Sequence, residues 1–180
     1  MAIPCVWTQM DDLRTDDCII IGAGPAGLTA AIYLARFHLA IRLFDCGSSR
    51  AALIPRTHNH AGYPGGISGT DLLARMREQA EEFGAVREAV EVTALRPHDD
   101  CFTVVAGKVS YRARTVLLAT GVVNHRPPGI EDALHDEALA RGLLRYCPIC
   151  DAFEQTGKRI GVLGGDRHAL AEALFLRPYS

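Results

Sequence analysis

Two cysteines separated by two residues, Cys147-Pro148-Ile149-Cys150, are followed directly by Asp151. That spacing lets a small ring close through a disulfide and open again on reduction. Thiol exchange needs a thiolate, so neighbouring charge matters. Arg145 lies two positions before the pair and could favour the thiolate, while Asp151 could carry a proton to or from the departing thiol. Pro148 stiffens the link between the sulfurs. Cys147, Cys150 and Asp151 are therefore the candidate catalytic residues. Two other readings stay open, half of a zinc site and coincidence in a chain with six cysteines. Zinc would need further ligands, yet there is no second C-x-x-C and His58 and His60 are remote in sequence, so no metal site is expected.

Gly22-Ala23-Gly24-Pro25-Ala26-Gly27 carries a different chemistry. In a G-x-G-x-x-G turn the first glycine permits a tight turn, the second lets backbone approach a pyrophosphate, and the third lets a helix pack closely on a strand. The positive end of the helix then faces the phosphates. An acidic residue about twenty positions on accepts ribose hydroxyls, and Asp45 fits that place. The pattern leaves NAD and FAD equally open. Gly161-Val162-Leu163-Gly164-Gly165 begins a similar turn that reads Gly164-x-Asp166-x-x-Ala169. There a carboxylate stands where bare backbone should meet phosphate, which would crowd and repel it. A strand–turn–helix without a ligand is the alternative.

The elements that must position these residues are legible as periods. Residues 18–21 form a short apolar run ending at Gly22, as in a strand buried on both faces of a parallel sheet. Leu28, Ala31, Ile32 and Ala35 recur at helical spacing, predicting a helix over 26–37, and 41–44 alternate as a second strand ending at Asp45. Residues 47–69 are too long and too rich in glycine and proline for an ordinary connection. A helix over 71–83 stops at Gly84. Strands are expected at 86–92, 101–105 and 109–114, with a Gly107-Lys108 turn, followed by another at 116–119. Pro127, Pro128 and Gly129 mark a boundary, after which 159–163 should be a strand and 169–176 a helix. The expected organisation is a leader at 1–16, a nucleotide-binding domain at 17–125 and a partial second domain at 126–180.

The 180 residues are 48% hydrophobic and 22% charged, which suits a chain with a real core. A net charge of -2 gives no reason to expect nucleic acid or an anionic membrane as partner. No apolar run is long enough to cross a bilayer, and the start lacks the basic region of a signal peptide, so a cytoplasmic location is expected. Cys5, Cys18, Cys46 and Cys101 are isolated, which favours one functional pair plus free thiols over a disulfide framework.

Further stretches carry a family likeness. They are the run from Gly22 to Arg36, Gly62-Tyr63-Pro64-Gly65, Met76-Arg77-Glu78-Gln79-Ala80, Leu118-Ala119-Thr120-Gly121, Cys147-x-x-Cys150-Asp151-x-Phe153, and Gly164-Gly165 with residues 169–174. On these the chain resembles the low-molecular-weight thioredoxin reductases over about residues 17–180. The resemblance implies an α/β chain: a Rossmann-like FAD-binding three-layer fold with a β-meander, and the first part of a second, incomplete Rossmann-like nucleotide domain. It implies FAD against Gly22, Ala23, Gly24, Pro25, Ala26, Gly27, Asp45, Val92, Ala119, Thr120 and Gly121. It implies NADPH at Gly164 and Gly165, an expectation that Asp166 weakens. Cys150 would face the flavin and Cys147 would exchange with a thioredoxin-like small protein disulfide; a homodimer is compatible with this reading.

The chain departs from the family pattern in two further places. Ala61-Gly62 stand where Glu-Asn usually precedes Tyr-Pro-Gly, leaving Asn59 or backbone groups as substitutes. The sequence also stops at Ser180 inside the second nucleotide unit, so the expectation is a truncated product, a fragment, or a chain that needs a partner. Leu170, Leu174, Phe175 and Leu176 should then be left exposed. Two rival readings follow: a non-catalytic nucleotide-binding remnant, and a cysteine-pair redox module that works without flavin.

Overall fold

The isoleucine run of β1 (Thr15–Ile21) lies at the centre of a six-stranded sheet, in a computed structural model that describes residues 15–180. Most of the leader expected at 1–16 lies outside the described residues; Thr15 and Asp16 belong to β1. Three β-branched residues in succession suit a strand covered on both faces, and Ile19 and Ile20 are fully buried. β1 pairs in parallel with β2 (Ile41–Phe44) on one side and with β6 (Val109–Leu118) on the other. Between β1 and β2 runs α1 (Pro25–Arg36), which buries Gly27, Leu28, Ala31, Ile32 and Ala35. This βαβ unit is the one expected from the sequence.

Residues 47–69 contain a single short 3-10 turn at Arg50–Leu53 and an isolated bridge between Thr57 and Ile67. α2 (Gly69–Glu82) begins two residues earlier than expected because the Ser68 hydroxyl accepts the Asp71 amide at 3.0 Å, capping the first turn. Two residues past its end at Glu82, Gly84 has a φ of 89°, the left-handed stop that glycine tolerates. Leu73 and Ala80 of α2 join Leu28, Ala31, Cys18, Ile20 and Leu43 in one core. Ile19 and Phe44, whose side chains leave the opposite face, pack instead on Val104, Ala106 and Ala113. The sheet therefore carries α1 and α2 on one face, while on the other Ile19 and Phe44 pack with residues of β5 and β6, in the Rossmann-like α/β arrangement expected.

Two strand expectations need correction. The segment 86–92 is not one strand: β3 (Val86–Glu88) runs parallel to β2, and β4 (Val92–Pro97) starts afresh, antiparallel to β5 (Phe102–Ala106). β2 and β5 lie apart in the strand order β3-β2-β1-β6-β5-β4, so one straight stretch cannot pair with both. Conversely, 109–114 and 116–119 merge into the ten-residue β6. Its first half pairs antiparallel with β5 and its second half parallel with β1. Thr115, which lies between the two expected strands, faces solvent, and its hydroxyl donates to the Asp17 carbonyl at 2.8 Å.

Arg42 ties three strands together. Its Nε donates to Asp16 at 3.0 Å and its Nη1 to Glu88 at 2.7 Å, with Tyr111 stacked 4.7 Å below the guanidinium. Asp16 is only 4% exposed, so losing its partner would strand a buried carboxylate. Replacing Arg42 with alanine should therefore cost about 3 kcal/mol of unfolding free energy, measured by denaturant titration.

The chain divides into two compact units, one comprising residues through Ala51 with Leu73–Val122, the other Ala52–Leu72 with Val123–Ser180. The second holds α3 (Asp132–Ala140), α4 (Pro148–Asp151) and α5 (Arg167–Leu176). The strand expected at 159–163 does not form. A strand needs a ladder neighbour, and none of the described residues supplies one. On α5, Leu170, Leu174 and Phe175 are exposed as expected, whereas Leu176 is half-buried. No helix among the described residues is long and apolar enough to cross a membrane.

Candidate functional site

In the first unit, Gly22 has φ of 107° and sits where a side chain would run into the Ala119 carbonyl and lie 3.1 Å from the Thr120 amide nitrogen. The same turn is held by the Gly22 amide donating to the Phe44 carbonyl at 2.9 Å and the Ala119 amide donating to Ile21 at 2.8 Å. Ala119 and Thr120 are thus brought against the turn. A Cβ on Gly27 would overlap the Gly22 carbonyl oxygen, so α1 lies against its own turn only because both residues lack side chains. Gly24 differs. Its φ of -73° suits any residue, and the nearest atom to a hypothetical Cβ is the Ser49 hydroxyl at 3.3 Å.

Gly24 is also the N-cap of α1, with Pro25 next and no side chain closing the cap. Proline has no amide to satisfy there, and Pro25 and Ala26 are exposed while Ala23 is buried. The result is an uncapped helix start fronted by bare backbone, the cradle that a pyrophosphate fits. The turn fits the diphosphate of FAD, the cofactor expected here.

Asp45 follows β2 as expected, but its carboxylate is already engaged. Oδ1 accepts the Gly47 amide at 2.9 Å, and Oδ2 faces Arg77 at 3.6 Å and Arg87 at 4.0 Å. Its side chain is nearly buried. Neither arginine was expected at Asp45, because both come from elements distant along the chain. Ser49 was missed too, although it lies in the glycine- and serine-rich stretch that signalled function. Val92 opens β4 and packs its side chain into the core beneath Phe44, while Gly121 is exposed with φ of 70°.

In the second unit, Cys147 and Cys150 form a disulfide with Cα atoms 5.3 Å apart. Cys147 is the N-cap of α4 and Pro148 occupies its first position. The Cys150 amide donates to the Cys147 carbonyl at 3.1 Å, closing one turn that brings the two sulfurs together. Asp151 ends that turn and is half-buried. Cys150, Ile149 and Phe153 are exposed, with Ile149 and Phe153 at 81% and 80%. Among the described residues Cys18, Cys46 and Cys101 are free thiols, as the isolated spacing implied.

Two supports of this turn were not legible beforehand. The Asn59 side-chain amide donates to the Cys150 carbonyl at 3.3 Å across 91 residues of sequence, and Asn59 Oδ1 accepts the Thr57 hydroxyl. Asn59 was expected only as a stand-in for a missing loop contact. Immediately before the disulfide, the Tyr146 hydroxyl meets Nε2 of buried His135 at 2.7 Å. The other ring nitrogen of His135 meets Asp136 at 3.0 Å, and Asp136 also pairs with Arg126 at 2.9 Å. The hydrogen bond with His135, helped by Arg126, holds the Asp136 carboxyl below its usual range. Arg145 turns back over Gly142.

The second glycine turn is shaped differently from the first. Gly164 packs against the methyl of Ala169, and Gly165 has open space around it. Asp166 is the N-cap of α5, and its Oδ1 accepts the Ala169 amide at 3.0 Å. That backbone hydrogen bond is the main reason the Asp166 carboxyl lies below its ordinary value.

The family model for pyridine nucleotide-disulphide oxidoreductases matches residues 16–179. A thioredoxin reductase of Mycolicibacterium smegmatis is 39% identical over 166 residues, covering 91% of this chain and 52% of that protein. One from Treponema pallidum (strain Nichols) is 38% identical over 167 residues, covering 91% and 53%. Among solved structures, a thioredoxin reductase from Streptococcus pyogenes MGAS5005 superposes with a TM-score of 0.81 at 32% identity, covering 92% of this chain and 53% of that one. One from Giardia duodenalis gives 0.83 at 29% identity, covering 93% and 54%. The chain thus spans about half the length of the curated relatives it matches. With its glycine-cradled α1 and its C-x-x-C disulfide, it belongs to the pyridine nucleotide-disulphide oxidoreductase family, where it is similar to thioredoxin reductases.

Proposed function

We propose that this chain is the flavin- and disulfide-bearing part of a thioredoxin-reductase-like oxidoreductase. The observation that carries the reading is the closed Cys147–Cys150 ring in a chain that also holds an uncapped, side-chain-free helix start at Gly24. Gly22, Gly24 and Gly27 hold the diphosphate of FAD, Asp45 orients its ribose, and backbone at Ala119, Thr120 and Gly121 lines the turn. When bound, FAD supplies an electron pair.

Two electrons and two protons convert the disulfide to a dithiol. The Cys147 thiolate attacks a sulfur of a thioredoxin-type disulfide, forming a mixed disulfide and expelling one partner thiolate. The Cys150 thiolate then attacks the Cys147 sulfur, which restores the ring and releases the partner's second sulfur. Asp151 holds and returns the proton of the departing thiol. Asn59 fixes the carbonyl end of the turn while this happens. The hydrophobic side chains of Ile149 and Phe153, exposed beside the pair, suit contact with a protein substrate.

Purified chain reconstituted with FAD should retain about one flavin per chain, visible by its absorbance. Chemical reduction of that flavin should then yield two titratable thiols that disappear when a thioredoxin-type disulfide is added. A chain that stays colourless refutes the flavin assignment. A coloured chain whose thiol count never rises supports the remnant reading instead.

A further inference from the structure

α1 and α5 each begin at an extended residue closing a glycine turn: Gly24, with ψ of -177°, and Asp166, also with ψ of -177°. Both hold the second glycine position of the pattern, in Gly22-x-Gly24-x-x-Gly27 and Gly164-x-Asp166-x-x-Ala169. The two helix starts are otherwise opposites. At Gly24 nothing caps the helix, so its first amides face outward. At Asp166 the chain's own carboxylate takes the Ala169 amide at 3.0 Å.

The family's name implies a pyridine nucleotide, and the second turn is where its diphosphate would lie. We propose that Asp166 closes this turn to a dinucleotide diphosphate, making it a self-capped helix start and not a site for NADPH or NADH. Oδ1 already fills the place a phosphate oxygen would take, and its negative charge opposes a second anion. With its carboxyl held below the ordinary value of 3.8, Asp166 is ionised throughout the neutral range. Nearby cations do not reverse this. His168 faces Glu172 at 3.2 Å, and Arg167 is exposed to water and salt.

The glycines that remain have another cause. A side chain on Gly164 would overlap the Ala169 methyl, so close packing of turn on helix requires that glycine with or without a ligand. The strand that should feed the turn, 159–163, does not form. The inference concerns α5 alone and does not depend on flavin binding at α1.

Calorimetric titration of the full chain in excess FAD, which occupies the α1 cradle, with NADP+ and, separately, with inorganic pyrophosphate tests it. Wild type should show no binding up to about 1 mM of either ligand. Asp166→Gly, which copies Gly24, should bind pyrophosphate at least about tenfold more tightly than wild type. Asp166→Asn keeps a good cap and loses only the charge, so a gain of about threefold is expected even if Asp166→Gly loosens α5. A wild-type Kd for NADP+ below about 100 μM overturns the proposal. So does wild-type pyrophosphate affinity in both variants. Flavin absorbance on the same samples reports α1, so a failure of the proposed function is read separately.

Discussion

Cys150→Ser chain, once reduced and mixed with a thioredoxin-type disulfide, should accumulate as a covalent adduct. Its Cys147 thiolate can attack and form the mixed disulfide, but no second thiolate remains to release it. Cys147→Ser should give no adduct. Turnover in both variants should drop by about 10³ or more, to the background of uncatalysed exchange. Non-reducing electrophoresis and intact mass read the adduct directly. The asymmetry is the informative part: an adduct with Cys147→Ser and none with Cys150→Ser would reverse the assigned roles. Adducts with neither would remove the pair from the reaction. Either serine opens the Cys147–Cys150 disulfide at the start of α4 and leaves both cores untouched. Flavin content should accordingly match wild type.

The second large effect separates folding from binding within one glycine turn. Gly27→Ala puts a methyl into the Gly22 carbonyl and 3.3 Å from Cβ of Ala119. Neither neighbour is a flexible side-chain end, so β1 and α1 must part. A loss of about 2–4 kcal/mol in unfolding free energy is expected, with loss of flavin. Gly24→Ala meets only the Ser49 hydroxyl, which can rotate, in a backbone conformation open to alanine. Its stability should change by less than about 1 kcal/mol. Yet the new methyl stands where backbone must approach pyrophosphate, so flavin affinity should fall at least about tenfold. Thermal melts and flavin titration on the two variants check both numbers. Wild-type flavin affinity in Gly24→Ala would mean that the cradle holds no diphosphate.

The run from Cys18 to Asp45 was readable in advance because every signal in it is local. The isoleucines make a strand, the glycines permit one turn, and apolar residues at helical spacing make α1. Gly22 and Gly27 are demanded by contacts within that same unit, so the pattern carried its own explanation. The cysteine pair was equally local, since a separation of three residues fits inside one helical turn. The cap on α5 could have been read too, as an aspartate three residues before the amide it binds.

What the sequence left undecided depends on partners far along the chain. Whether 86–92 is one strand or two is settled by β2 and β5, which offer their free edges on opposite sides of the sheet. β6 spans a polar interruption because β1 and β5 each hold half of it. The arginines on Asp45, the amide of Asn59 on Cys150 and the histidine behind Tyr146 leave no periodic trace. Sequence alone determined the glycine turn, its helix and the spacing of the cysteine pair, because short-range sterics and chain geometry suffice for them. Only the tertiary structure decided strand pairing, the occupied state of Asp45 and which helix start lies open. Hydrogen bonds and ion pairs between distant residues form only once the chain has brought them together.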